Sequence, residues 1–231
     1  MFNESYEKMR DEILNNFQID VLKAISQSEL ARFFVWSGGT ALAFGYLQHR
    51  LSIDLDFMSR DLFPDEYILA EIKKIAVHLR ISQIREHKQF NRYEFWFKKN
   101  KSVLKVEFIF YPFKNMKKPK KIKDFNVLID SIEDITANKT HAIYERYEPK
   151  DVFDLYWILI KKKIKFLKIF KWVEEKFGVK IDPVLFLSKL LRGADSLDKI
   201  RPLLLNKELL HTEAIKKYFQ KEADKYLKTK I

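Results

Sequence analysis

Asp54 and Asp56 sit one residue apart in Leu51 to Phe57, a run that alternates apolar and polar residues at the period of a half-buried strand. Aspartate is a poor strand former, so two on one face of one strand constrain this chain more than any other feature. Their backbones would stand about 7 Å apart, with Ile53, Leu55 and Phe57 turned to the opposite face. Two ionised carboxylates at that spacing repel by roughly 2–4 kcal/mol at intermediate dielectric. A site that keeps both charged calls for a cation. Magnesium suits, because it takes one or two carboxylates and completes its octahedron with water and phosphate oxygens. For an isolated pair of this kind, the plainer reading is the solvated face of an amphipathic strand.

The residues leading into the pair narrow the choice. Phe33 to Trp36 is a compact apolar run suited to a buried strand, with Ser28 placed to cap a short turn before it. Gly38–Gly39 breaks the run, and Thr40 to Gln48 resumes a helical pattern through Leu42, Ala43 and Tyr46. Glycine lets the backbone approach a phosphate closely, and amides that open a helix point at an anion. Ser37 or Thr40 can add a hydroxyl donor. A strand, a Gly-Gly turn and a helix are common, so the turn alone identifies nothing. Glu107 is a third candidate acid. In Leu104 to Phe110 it shares a face with Lys105 and Ile109, while Leu104, Val106, Phe108 and Phe110 share the other. If that strand neighbours the first, three carboxylates can hold two metal ions for an in-line displacement. An exposed strand acid beside a lysine is the alternative.

The rest of the pattern predicts a mixed sheet with helices, followed by a helical bundle. Helices are expected over residues 4–25, from Pro64 to about Leu79, and then over 131–146, 150–163, 166–177, 183–191 and about 212–227. A hairpin is expected from Arg92 to Phe97 and Ser102 to Tyr111, turning through Lys98 to Lys101. Gly178 and Gly193 read as helix stops, and Pro149 and Pro183 as first-turn starts. Pro112 to Asp124 reads as the linker, which divides the chain into residues 1–124 and 125–231. In the second part Lys139, Ala142, Ile143 and Arg146 fall on one helical face, and Asp151 and Asp154 on one face of the next helix. Each of these has an ordinary explanation. Basic side chains snorkel along apolar faces, and acids suit the first turn of a helix.

Composition sets bounds. A chain of 231 residues can form one large domain or two small ones and buries roughly 70–75% of the surface exposed when unfolded. It contains no cysteine, which excludes disulfides, thiol redox chemistry and thiolate zinc sites. No apolar run reaches the ~20 residues of a membrane span, and the polar start does not read as a targeting peptide, so a soluble cytoplasmic protein is expected. The formal charge of +12 matches two acid-free runs, six lysines from Lys114 to Lys123 and six from Lys161 to Lys171. Both suit a nucleic-acid backbone, and both also suit a solvated loop or helix face.

Taken together, GGTAL, then HR-x-S-x-DLDF, then K-x-x-A-x-x-x-R followed by KD-x-x-DL, closely resemble the AbiEii/AbiGii-type nucleotidyltransferase toxins over about Phe33 to Leu155. The resemblance implies a DNA-polymerase-beta-like nucleotidyltransferase core with a helical C-terminal part, an α+β fold. It implies Gly38, Gly39 and Thr40 as the triphosphate turn, Arg50 as a phosphate contact, and Asp54 and Asp56 as the metal-binding pair. Lys139 and Asp151 would be the essential lysine and aspartate of the last two motifs. Arg146 is a candidate nucleotide contact on its own spacing, since it shares a helical face with Lys139 and can meet phosphate as a fork. The fourth motif departs from the family's Arg-Asp. This chain has Lys150-Asp151, which keeps the charge and loses the bidentate geometry.

The expected reaction transfers a nucleoside monophosphate from a nucleoside triphosphate to an acceptor hydroxyl, with magnesium (or manganese) and release of pyrophosphate. RNA, in particular the 3′ end of tRNA, is the expected acceptor. A cognate antitoxin and a role in abortive phage infection follow from the resemblance. Asp151 would either orient Lys139 or help deprotonate the acceptor. Replacing Asp54 or Lys139 by alanine should abolish transfer and leave the fold intact. A protein-modifying nucleotidyltransferase using the same metal site, or a non-catalytic RNA- or partner-binding protein, are the competing readings.

Overall fold

A computed structural model describes residues 12–228 and divides into two compact units, Met1–Ser131 and Ile132–Ile231. The first contains a seven-stranded mixed sheet of order β3-β4-β5-β2-β1-β7-β6. Its strands are β1 (Val35–Ser37), β2 (Leu55–Ser59), β3 (Gln83–Gln89), β4 (Arg92–Lys99), β5 (Ser102–Phe110), β6 (Lys120–Ile122) and β7 (Val127–Ile129). The β2–β5 and β1–β7 pairs are parallel, and the other neighbours are antiparallel.

Strand alternation sorts the two faces. Trp36, Leu55, Phe57, Phe95, Phe97, Val106 and Phe108 form one face and join a core with Val21, Leu22 and Ile25 of α1 (Asn16–Gln27) and with Ile68, Ile72 and Ile75 of α3 (Asp65–His78). Between β1 and β2 runs α2 (Gly38–Leu42), which continues as a single π-helical turn over Ala43–Leu47. Gln48 then takes a left-handed conformation, φ 50°, and ends the helix.

The first predicted helix, 4–25, lies outside the described residues up to residue 11. Within them it is interrupted. The Asn15 side chain accepts from the Gln18 amide and the Gln18 side chain accepts from the Asn15 amide, a reciprocal cap that starts α1 afresh at Asn16. Ser28 does not cap the following turn with its side chain; its amide and hydroxyl both donate back to the Ile25 carbonyl and close α1. The acid-bearing strand begins at Leu55 rather than Leu51, which leaves Ile53 62% exposed instead of packed beside Leu55. The hairpin forms as expected, through a two-residue turn with Asn100 at φ 55°.

Three strands, β3, β6 and β7, had no forecast. β3 is polar along its length and sits at the sheet edge, where one-sided hydrophobicity does not mark a strand. β6 lies inside the supposed linker. The boundary follows Ser131 rather than Asp124, because Phe125, Val127 and Ile129 fill the sheet's core and β7 pairs with β1.

The second unit is helical: α4 (Ile132–Glu145), α5 (Pro149–Lys161), α6 (Lys168–Phe177), α7 (Pro183–Ala194) and α8 (Thr212–Lys228), with 3-10 turns at Leu197–Leu203 and Lys207–Leu209. Phe153, Leu155, Ile169, Val173, Phe186, Leu190, Ile215 and Phe219 make its core. Pro149 and Pro183 open their helices, and Gly178 ends α6 at φ 68°. Gly193 is not a stop. It lies within α7, where a Cβ would come 2.6 Å from Val152 Cγ2, so glycine there serves close helix packing.

Candidate active site

Gly38 takes φ +76°, a region only glycine enters freely, and a Cβ on it would lie 2.0 Å from Asp56 Oδ2. The backbone of the turn therefore rests directly against the Asp56 carboxyl group. Gly39 is as closely approached, since its Cβ would meet Arg50 Nη2 at 2.7 Å and Ser52 Oγ at 2.9 Å. Arg50 is almost wholly buried, and its Nη1 donates to the Leu51 carbonyl at 2.8 Å. The glycine pair thus brings Asp56 and Arg50 to the same turn.

The segment before Asp54 is held from two sides. Gln18 of α1 is buried, and its Nε2 donates to the Ser52 and Ile53 carbonyls at 2.9 and 3.1 Å. The Thr40 hydroxyl donates to the Asp54 carbonyl. Asp54 and Asp56 are half-buried and alternate with Leu55 and Phe57, which have no exposure. The alternation expected of the pair is present even though Asp54 precedes the strand.

Glu107 lies beside Asp56 in the parallel β2–β5 register, so the two project from one face. Two cations of the protein approach its carboxylate. One Glu107 oxygen meets Arg92 Nη1 at 3.0 Å, and the other pairs with Lys105 Nζ. Lys105 also reaches Glu94 Oε1 at 2.9 Å, and Glu94 approaches His87 Nδ1 at 3.3 Å. Burial pushes the Glu94 carboxyl up, but Lys105, His87 and Arg92 outweigh it and hold the group below its ordinary range. Among the described residues no group of three acids or histidines is arranged to hold a metal. Strand alternation put Glu107 on the correct face but could not reveal the two cations, one of them from a strand away. The 310 Å³ cavity of this unit lies elsewhere, around Ser59, Phe63, Arg92 and Phe110, and none of the glycine-turn residues lines it.

In the helical unit Lys139 Nζ stands 2.6 Å from Asp151 Oδ1 and 2.8 Å from Asp154 Oδ2. Arg146 donates to Asp151 Oδ2 from Nε and Nη2, at 3.1 and 3.0 Å. The helical spacing explains the meeting, because Lys139 and Arg146 share a face of α4 and its continuation, and both acids share a face of α5. Neither aspartate has any exposure. Burial pushes the Asp151 carboxyl up, but Lys139 and Arg146 prevail and hold it below its ordinary value. A guanidinium therefore reaches Asp151 despite Lys150 at the preceding position. A second buried pair, Asp134 Oδ1 and Lys176 Nζ at 2.7 Å, ties α4 to α6. The expectation that Lys139→Ala leaves the fold intact is revised, since it would take the shared lysine from two buried acids, of which Asp151 keeps Arg146.

Every lysine of the two basic runs is exposed. Among the described residues no helix is long and apolar enough to cross a membrane.

Residues 20–230 match the family model of the nucleotidyl transferase AbiEii toxin of type IV toxin–antitoxin systems. The uncharacterized protein aq_aa25 of Aquifex aeolicus (strain VF5) is 23% identical over 221 residues, covering 93% of this chain and 98% of the relative. A crystal structure of a candidate nucleotidyltransferase from H. pylori has a TM-score of 0.55 at 20% identity, covering 93% of this chain and 97% of that one. JHP933 from Helicobacter pylori gives 0.53 at 19%, with 95% and 98% covered. At these identities the two structures share the fold.

Proposed function

This chain belongs to the AbiEii family of nucleotidyl transferase toxins of type IV toxin–antitoxin systems, and on that premise we propose that it transfers a nucleoside monophosphate from a nucleoside triphosphate to a hydroxyl of RNA, at the 3′ end of tRNA. The observation that carries the reading is the contact of the Gly38 backbone with the Asp56 carboxyl group, a cradle that any Cβ would fill. It fits a triphosphate with magnesium (or manganese), because a glycine backbone can approach phosphate oxygens closely and the acid beside it is a ligand type magnesium takes. Asp54 and Asp56 would hold the metal, which supplies Lewis-acid charge stabilisation when bound.

The chain's own residues do the rest. In the sheet unit Arg50 would offset phosphate charge, and in the helical unit Lys139 and Arg146 are the candidate phosphate contacts. Asp151, kept ionised by Lys139 and Arg146, is a weak base. Its part is to orient Lys139 rather than to take the acceptor's proton. The exposed lysine runs would bind RNA backbone with little base information. Membership of a type IV system implies a cognate antitoxin and a role in abortive phage infection.

Incubation with each labelled nucleoside triphosphate, magnesium, total RNA and total protein tests the reading. Label in RNA that disappears with EDTA supports it. Label confined to protein moves the acceptor to a protein hydroxyl, and no label with any nucleotide overturns it.

A further inference from the structure

Ser37 ends β1, directly before the left-handed Gly38 and opposite Asp56 in the antiparallel register. Its side chain has no exposure, and among the described residues its hydroxyl oxygen has no hydrogen-bond partner. Protein interiors rarely leave such a group unmatched, because an unmet buried hydroxyl is worse than a methyl group of the same shape. Residues opposite each other in a ladder project from one face, so this hydroxyl stands on the side of the Asp56 carboxylate. Thr40, the other hydroxyl of the turn, is engaged differently, with its proton donated to the Asp54 carbonyl.

We infer that Ser37, rather than Thr40, donates a hydrogen bond to a non-bridging oxygen of the triphosphate, and that Thr40 is a positioning residue acting on Asp54. This rests on the nucleoside triphosphate reading above. By residue type and spacing the two hydroxyls are equals. Their separate hydrogen-bonding states tell them apart. A phosphate oxygen supplies what the Ser37 hydroxyl lacks, an acceptor beside Asp56. Because the contact is to phosphate, its effect is the same for every base.

The test compares wild type with Ser37→Ala and Thr40→Val. Each is unfolded thermally with magnesium alone, and with magnesium plus ATP, CTP, GTP, UTP or tripolyphosphate. Without ligand, Ser37→Ala should unfold at the wild-type temperature or above it, since the hydroxyl it loses has no partner. Its affinity for whichever nucleotides stabilise wild type, and for tripolyphosphate, should fall by about ten- to a hundredfold, the ordinary worth of a hydrogen bond to a charged group. Thr40→Val should unfold at a lower temperature even without ligand, because the Asp54 carbonyl loses its donor. A Ser37→Ala protein that is destabilised alone and binds ligand normally would overturn the inference and give the hydroxyl a structural role. If neither the nucleotides nor tripolyphosphate stabilise wild type, the inference and the reading beneath it fall together. That outcome is distinct, since it is seen before any substitution is made.

Discussion

The sheet unit and the helical unit each present two aspartates a short step apart in sequence, at different depths of burial. Asp54 and Asp56 are half-buried at a glycine turn, where the close approach is backbone to carboxyl group. Asp151 and Asp154 have no exposure, and Lys139 and Arg146 lie within hydrogen-bond reach of them. A buried carboxylate survives ionised only when the protein supplies its countercharge. A partly exposed pair beside a glycine turn can take countercharge from a ligand. The comparison separates acids that serve chemistry directly from acids that hold another group in place. Glu107, beside Asp56, shares features of both, since Arg92 and Lys105 meet its oxygens.

The sharpest break would come from Asp56→Asn. Transfer should fall on the order of a thousandfold, from the several kcal/mol a metal site contributes, with the unfolding temperature unchanged. A variant that unfolds early while still transferring would reverse the assignment. Lys139→Met should do what Asp56→Asn does not, lowering stability in urea by about 3–5 kcal/mol by leaving two buried acids without their lysine. Wild-type stability in that variant would erase the distinction between the two pairs.

Acid sharpens the comparison further. The folded Asp151 carboxyl lies below its ordinary value of 3.8, so its contribution is complete above that value and is lost as pH falls through the lower folded one. Below about pH 5, wild type should therefore lose stability more steeply than Asp151→Asn, which has no such proton to take up. Parallel curves would show that the pair is not ionised as drawn. The smallest effect concerns the lysine runs, one in each unit. Replacing Lys117, Lys118, Lys120 and Lys121 by glutamine should lessen the salt dependence of RNA binding by roughly one unit of slope for each phosphate no longer neutralised. The same change at Lys161, Lys162, Lys163 and Lys165 tells which unit binds the RNA backbone.

Much of this was legible in the chain itself. The hairpin, the helical second half and the proline starts were readable because local periodicity and φ preference act within a few residues. The D-x-D pair and the lysine–arginine face were readable for the same reason. Edge strand β3 was not, since only Ile84 of its seven residues packs on the core and one apolar residue sets no alternation. Gly193 resembles a helix stop in sequence because the atoms that require glycine there belong to Val152 and Tyr147, some forty residues earlier in the chain.

By itself the sequence determined the residue types, their periods and the family to which they belong, all properties of short windows and their order. Only the tertiary structure decided which oxygen each cation meets, that Arg92 and Lys105 approach Glu107, and that Thr40 and Ser37 differ. Hydrogen bonds and ion pairs act over about 3 Å, and the partners at that range come from strands and helices that periodicity cannot place side by side.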